Sequence, residues 1–220
     1  MIEAEERPTR IAVVDYGAGN LVSIEQALTR VGGQVTIARD GEALRDVDAL
    51  VVPGVGAAGP AMARLERHDL VQPIRAWITA ERPFLGICLG LQLLFEGSDE
   101  DGATTLGVLP GRTVELIDAP TLPHIGWNQV GQERAHPLFD GIADQSDFYF
   151  VHSFAGQPEP SAAATVLATT EHGRRFVSAV ARGPLLGVQF HPERSGDDGL
   201  KLLANFLAFV RASSRSGALA

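Results

Sequence analysis

Over residues 11–96 the chain alternates short apolar, often β-branched runs with stretches of helical spacing, and this alternation restricts the fold more than any single motif. "IAVVD" (11–15) precedes the turn "YGAGN" and then "LVSIEQALTRVG", where Leu21, Ile24, Ala27, Leu28 and Val31 recur on one helical face. "QVTIAR" and "DALVVPG" predict two more strands, and "AAGPAMARLERHDL" and "VQPIRAWITAE" two helices. "PFLGIC" predicts a buried strand entering the helix "LGLQLLFE". Strands separated by helices pair in parallel through crossovers, giving an α/β sheet covered on both faces, with its sites at the strands' C-terminal ends.

After about residue 100 the rhythm changes to strand-like runs joined by Gly and Pro turns: "RTVELID", "DFYFVHS", "RFVSAVA" and "LLGVQFH". One more helix is predicted near "DGLKLLANFLAFVRA", where Leu202, Leu203, Phe206, Leu207 and Val210 form a stripe behind the capping candidates Asp197 and Asp198. No linker and no repeat divides the chain. The 220 residues, 45% hydrophobic, suffice to bury a core. We therefore expect one domain over 1–220, with a core of about 11–210 and flexible ends at 1–9 and 211–220, the latter including the tail "SSRSGALA".

A single cysteine makes no internal disulfide, and the acidic start "MIEAEERPTRIAVVDYG" lacks the basic, then apolar, pattern of an export signal. No run approaches the roughly 18 apolar residues of a membrane span. The expected location is the cytoplasm. Acidic residues outnumber basic ones 27 to 18 without a basic stripe, which argues against a nucleic-acid partner.

The lone thiol occupies a telling place. In "GICLG", Gly86 and Gly90 flank Cys88 at minus two and plus two, at the seam between the buried strand and the helix. That is the spacing of a nucleophile elbow, with sulfur in place of the hydroxyl. The helix beginning beside the sulfur favours its thiolate form.

A cysteine nucleophile needs a base that is itself oriented. "LLGVQFHPERS" ends an apolar run with His191 and places Glu193 two residues later; alternation along an extended segment would aim both side chains the same way, with Pro192 keeping His191 extended. Acyl transfer also needs amide donors for an oxyanion. The amide of Leu89 is one candidate, and the glycine-rich "VVPGVGAAG", with Pro53 marking the end of pairing and Gly54 and Gly56 letting the backbone come close and reorient, offers a second.

These residues resemble the class I (triad) glutamine amidotransferases, which show an elbow like "GICLGLQ" and a later "GVQFHPE". "DYGAGNL" (15–21), "PGVGA" (53–57), "PHIGWN" (123–128) and "FYFVHSF" (148–154) narrow the likeness to the glutaminase subunit family of imidazole glycerol phosphate synthase, over about Ile11 to Val210. The resemblance implies a flavodoxin-like three-layer α/β fold with a mixed, mostly parallel central sheet and helices on both faces. It implies a glutaminase in which Cys88 forms a thioester with glutamine, His191 moves the protons and Glu193 orients it. It makes Leu89, Gly54 and Val55 oxyanion residues and Gln92, Glu100, Ser153 and Phe154 substrate-binding residues. Phe154 replaces the usual Tyr, removing a hydroxyl, and Arg194 stands where Lys is common. The implied partner is a TIM-barrel cyclase subunit in a heterodimer that receives the ammonia and forms imidazole glycerol phosphate and AICAR, for histidine biosynthesis. The alternatives are an amidotransferase subunit of another pathway, such as anthranilate or vitamin B6, and a noncatalytic scaffold of the cyclase.

The other signals are weaker. "DYGAGN" places Val22 where a dinucleotide fingerprint needs its third glycine, so we read a tight turn near the partner face. His124, Trp127 and Asn128 read as a surface turn with interface or packing roles. His68, His136 and His172 have no metal-ligand spacing and are expected to be solvated. No cofactor and no metal is expected.

Overall fold

The computed structural model describes residues 7–217. Residues 1–6 and 218–220, part of the ends expected to be flexible, lie outside the described residues. The strands are β1 (Thr9–Val14), β2 (Gly33–Ala38), β3 (Ala49–Gly54), β4 (Phe84–Cys88), β5 (Gly97–Ser98), β6 (Gly111–Glu115), β7 (His124–Gln132), β8 (Ser146–His152), β9 (Phe154–Pro158), β10 (Val166–His172), β11 (Arg174–Arg182) and β12 (Leu185–Val188). The helices are α1 (Leu21–Arg30), α2 (Ala58–Arg67), α3 (Val71–Thr79), α4 (Leu89–Gln92) and α5 (Gly196–Gly217).

Nine strands form the central sheet in the order β2-β1-β3-β4-β12-β11-β10-β7-β8, and β5-β6-β9 form a second sheet. The five strands from β2 to β12 pair in parallel, as the βα alternation dictates, and the remaining four extend the sheet by antiparallel pairing. Successive residues of β1 face opposite ways: Ile11 and Val13 join a core shared with α1 and α5, while Ala12 and Val14 join one shared with α2 and α3. Three layers result. Among the described residues no helix is long and apolar enough to cross a membrane.

α1 starts where the Asn20 side chain accepts the Ser23 amide at 3.3 Å. Its preceding turn is set by Gly17 and Gly19 at φ 80° and 98°, and by Asp15, which accepts the Gly17 amide and the Arg39 guanidinium. α5 runs past Val210 to Gly217, further than the apolar stripe suggests, and the Ser213 and Ser214 hydroxyls return hydrogen bonds to the carbonyls of Phe209 and Val210. Asp197 and Asp198 lie inside its first turn rather than at the cap.

Three local expectations are corrected. α4 is a single turn, because the carbonyls of Leu93, Leu94 and Phe95 accept the amides of Leu106, Val108, Leu109 and Gly107 instead of continuing a helix. Pro53 ends pairing only on one side: β1 pairs with β3 as far as Val51, whereas β4 pairs with it through Gly54. The segment holding His124, Trp127 and Asn128 is no turn but the start of β7, fully paired with β8 and bordered by β10 only at Gly131 and Gln132. His172 is half-buried, its ring stacked on His124 at 4.0 Å, and His136 is also half-buried and accepts the Leu138 amide; His68 is exposed.

A Cβ placed on Gly90 would lie 1.8 Å from the Val52 carbonyl oxygen in β3, and one on Gly86 2.5 Å from the Gly90 carbonyl oxygen. Backbone meets backbone there, with no flexible side chain to yield. Gly90→Ala is therefore expected to lower unfolding stability by about 1–3 kcal/mol in urea titrations. The exposed Val22→Ser should stay within about 0.5 kcal/mol; equal midpoints for Gly90→Ala and the parent chain would contradict this packing.

Candidate active site

Three adjacent strand ends build the site. β4 ends at Cys88, β3 places Gly54 opposite Cys88, and β12 places Val188 opposite Ile87, so residues 189–191 emerge beside the sulfur. Cys88 carries φ 54° and ψ −108°, a left-handed region that a non-glycine residue enters at a cost of roughly 1–3 kcal/mol. This is the sharp strand-to-helix turn that the two glycines permit.

His191 and Glu193 do converge, though not through strand alternation. β12 stops at Val188, and Pro192–Arg194 form a 3-10 turn behind an extended His191. His191 Nδ1 lies 2.8 Å from Glu193 Oε1, and both side chains are only 6% exposed. The turn is pinned from behind: Ser195 Oγ donates to the His191 carbonyl at 2.6 Å and accepts the Tyr149 amide at 3.0 Å, while the His191 amide donates to the Tyr149 carbonyl at 2.9 Å. His191 Nε2 is buried without a hydrogen-bond partner.

Burial alone would lower the proton affinity of this imidazole. The interaction with Cys88, together with the Glu193 carboxylate, outweighs it and pushes the His191 pKa up to about 10. His191 therefore holds a proton firmly whenever the neighbouring sulfur is negative. Cys88 is 4% exposed, and two polar groups meet its sulfur: the Gln189 side-chain amide at 3.5 Å and the Val151 carbonyl at 4.0 Å.

The remaining candidates divide. Leu89 is the first residue of α4, so its amide has no acceptor within the helix. Gly54 is buried opposite Cys88, Val55 is 46% exposed, and Gly56 takes φ 91°. Gln92 is buried and donates to the Phe154 carbonyl at 2.8 Å and to Gln189 Oε1 at 3.1 Å. Phe154 thus enters the site through its backbone, which the Tyr-to-Phe difference leaves intact. Ser153 is half-buried at the bend between β8 and β9, its carbonyl accepting the Leu116 amide. Glu100 lies exposed on the turn after β5, its carboxyl raised by partial burial and by Asp101, and the structure gives it no contact with the other site residues. Arg194 stacks its guanidinium 4.0 Å over the Tyr149 ring.

Sequence reading missed two residues. Gln189, fully buried, was hidden inside an apolar strand run, although a lone amide between Val188 and Phe190 is a usable signal. Tyr16, also fully buried, has a hydroxyl without a partner that a Cβ on Gly54 would meet at 2.0 Å. Burial, and then the charge of Cys88, raise its pKa well above the ordinary phenol range. Among the described residues no group of three His, Cys, Asp or Glu side chains is arranged to hold a metal.

Known proteins resemble this chain in sequence and in fold. Residues 12–209 match the family described as "Glutamine amidotransferase class-I". The chain is 48% identical over 198 residues to the imidazole glycerol phosphate synthase subunit HisH of Symbiobacterium thermophilum, covering 90% of this chain and 92% of that one. It is 47% identical over 204 residues to the protein of the same name from Nocardia farcinica, covering 90% and 96%. The solved structure of PurLQS from Thermotoga maritima shares the fold at a TM-score of 0.74 and 19% identity, covering 92% of this chain and 99% of that one. A crystal structure of a glutamine amidotransferase does so at a TM-score of 0.69 and 20% identity, covering 91% and 98%.

The electrostatics generate a direct prediction. In Glu193→Gln the anion beside Nδ1 is lost, so the imidazolium is less stabilised and the His191 pKa falls from about 10, by roughly 1–3 pH units. An NMR titration of the imidazole measures this, and an unmoved value would contradict it.

Proposed function

Because the chain belongs to the class I glutamine amidotransferases, and within them to the family of imidazole glycerol phosphate synthase subunit HisH, we propose that Cys88, His191 and Glu193 hydrolyse glutamine and that the ammonia passes to a cyclase partner. The observation that carries this reading is the buried His191, with Nδ1 on Glu193 and Nε2 unpartnered beside the only cysteine.

Sγ of Cys88 attacks the side-chain carboxamide carbon of glutamine as Nε2 of His191 takes the sulfur's proton. The tetrahedral oxyanion is met by the Leu89 amide and by a main-chain donor from Gly54–Val55. Collapse breaks the C–N bond, and the proton on His191 goes to the leaving nitrogen, releasing ammonia and leaving a thioester. His191 then takes a proton from water, whose oxygen attacks the thioester, and returns it to sulfur as glutamate departs. Glu193 holds the imidazole orientation and stabilises its charged form. Gln92 and the main chain at Ser153 and Phe154 line the glutamine pocket, with Glu100 placed to meet the substrate amino group if its turn closes over the site.

The sulfur's near-complete burial supports tight control by the partner, because glutamine reaches it only if the surrounding turns move. The exposed Val55 and the Gly56 hinge make the 53–56 turn the natural moving part. Ammonia released into bulk water would be protonated or lost, so a sealed route into a TIM-barrel cyclase in a heterodimer is the expected design. There it would complete imidazole glycerol phosphate and AICAR, in the cytoplasm.

The test is a glutaminase assay with and without the cyclase and its ligand. Glutamate production should be low for this chain by itself, rise strongly in the complex, and fall by at least about 10³-fold in Cys88→Ala. Equal rates with and without the cyclase would remove the partner from the reading, and retained activity in Cys88→Ala would remove the mechanism.

A further inference from the structure

A row of hydrogen bonds that passes through the Phe154 main-chain carbonyl joins the outer sheet to the sulfur, and its donor directions can be deduced. Asn128 Oδ1 accepts the Gln129 amide at 2.8 Å, which identifies its other terminal atom as the nitrogen; that Nδ2 donates to the Glu171 carbonyl at 2.9 Å and faces His124 Nε2 at 3.1 Å. His124 Nδ1 lies 3.0 Å from His152 Nε2, and His152 Nδ1 lies 2.9 Å from the Phe154 carbonyl. A carbonyl only accepts, so His152 carries its hydrogen on Nδ1, its Nε2 accepts, and His124 must donate from Nδ1 and accept from Asn128 at Nε2. A second proton on either ring would set two N–H groups, or two donors, against each other. Burial enforces the neutral state, pushing the His124 pKa down to about 4 and that of His152 to about 3.

An ordinary satisfied pair of core histidines would end at the carbonyl. Here the Phe154 carbonyl also accepts Gln92 Nε2, the second hydrogen of that nitrogen goes to Gln189 Oε1, and Gln189 Nε2 points at Cys88 Sγ. We propose that Asn128, His124 and His152 form a one-directional hydrogen-bond chain that positions Gln92 and Gln189 against Cys88. None of the three touches the reacting atoms; each acts through the Phe154 carbonyl. The proposal deepens the glutaminase reading and rests on it. Because each neutral ring has one donor and one acceptor, the row from Asn128 to Phe154 has a single arrangement; His152 and Gln92 both donate to the Phe154 carbonyl, so the row holds the acceptor that orients Gln92 and, through it, Gln189, without a charge in the core.

Two measurements on the wild-type chain and its variants, assembled with the cyclase, decide the matter. Imidazole ¹⁵N NMR at neutral pH should show both His124 and His152 as Nδ1–H tautomers; an Nε2–H form at either residue overturns the proposal. His124→Phe keeps a flat ring beside Phe150 and His172 but removes both hydrogen bonds, and should lower kcat for glutamine about tenfold, within the range of site-to-site couplings, with KM changed less than about threefold. His124→Asn, which retains a donor near the Nδ1 position, should recover most of that loss. Unchanged kcat in His124→Phe, or equal losses in both variants, overturns the positioning role. Absence of glutaminase activity in the wild-type complex would instead sink the function proposed above, and the tautomers would still be read independently.

Discussion

The in-register parallel pairing of β4 with β12 is the constraint on which the rest depends. It sets Val188 beside Ile87, and so delivers Gln189 to the sulfur across a sequence separation of 101 residues. Once the two strands are neighbours, the short path from Val188 to His191 fixes where the imidazole can stand. The Ser195 hydroxyl, bonded to both His191 and Tyr149, then locks it there. Shifting this register by one residue would turn Gln189 away and break the polar lining of the sulfur.

The elbow adds strain to that frame. Cys88 is held at positive φ between strand β4 and a helix that lasts one turn, since amides of residues 105–109 capture the carbonyls of residues 93–96 that would extend it. Gly86 and Gly90 are required because their neighbours are backbone atoms, not side chains. The strain places sulfur at the rim, yet leaves it almost fully covered. The buried hydroxyl of Tyr16 beneath Gly54 shows how closely the turn beside Cys88 is packed.

Much of this was legible in the residues. Alternating apolar and helical periods carried the parallel half of the sheet, and the "GICLG" and "HPE" segments marked residues that the fold brings together. The antiparallel half was harder. β7 reads as a turn because glycine, tryptophan and asparagine interrupt it and one of its sides is mostly unpaired, so neither face shows a clean apolar period. The convergence of His191 with Glu193 was foreseen for the wrong reason, since a 3-10 turn rather than strand alternation joins them. Gln189 and the His124–His152 pair were invisible because their significance lies in partners 97 and 28 residues away, which no local pattern encodes.

The central claim is that sulfur and imidazole act as one unit because two strand ends meet. As the only cysteine in the chain, Cys88 reports on this without interference. The most direct measurement is the rate of its alkylation by iodoacetamide at neutral pH, in the parent chain and in His191→Ala. The account predicts that the variant reacts more slowly; equal rates would contradict it.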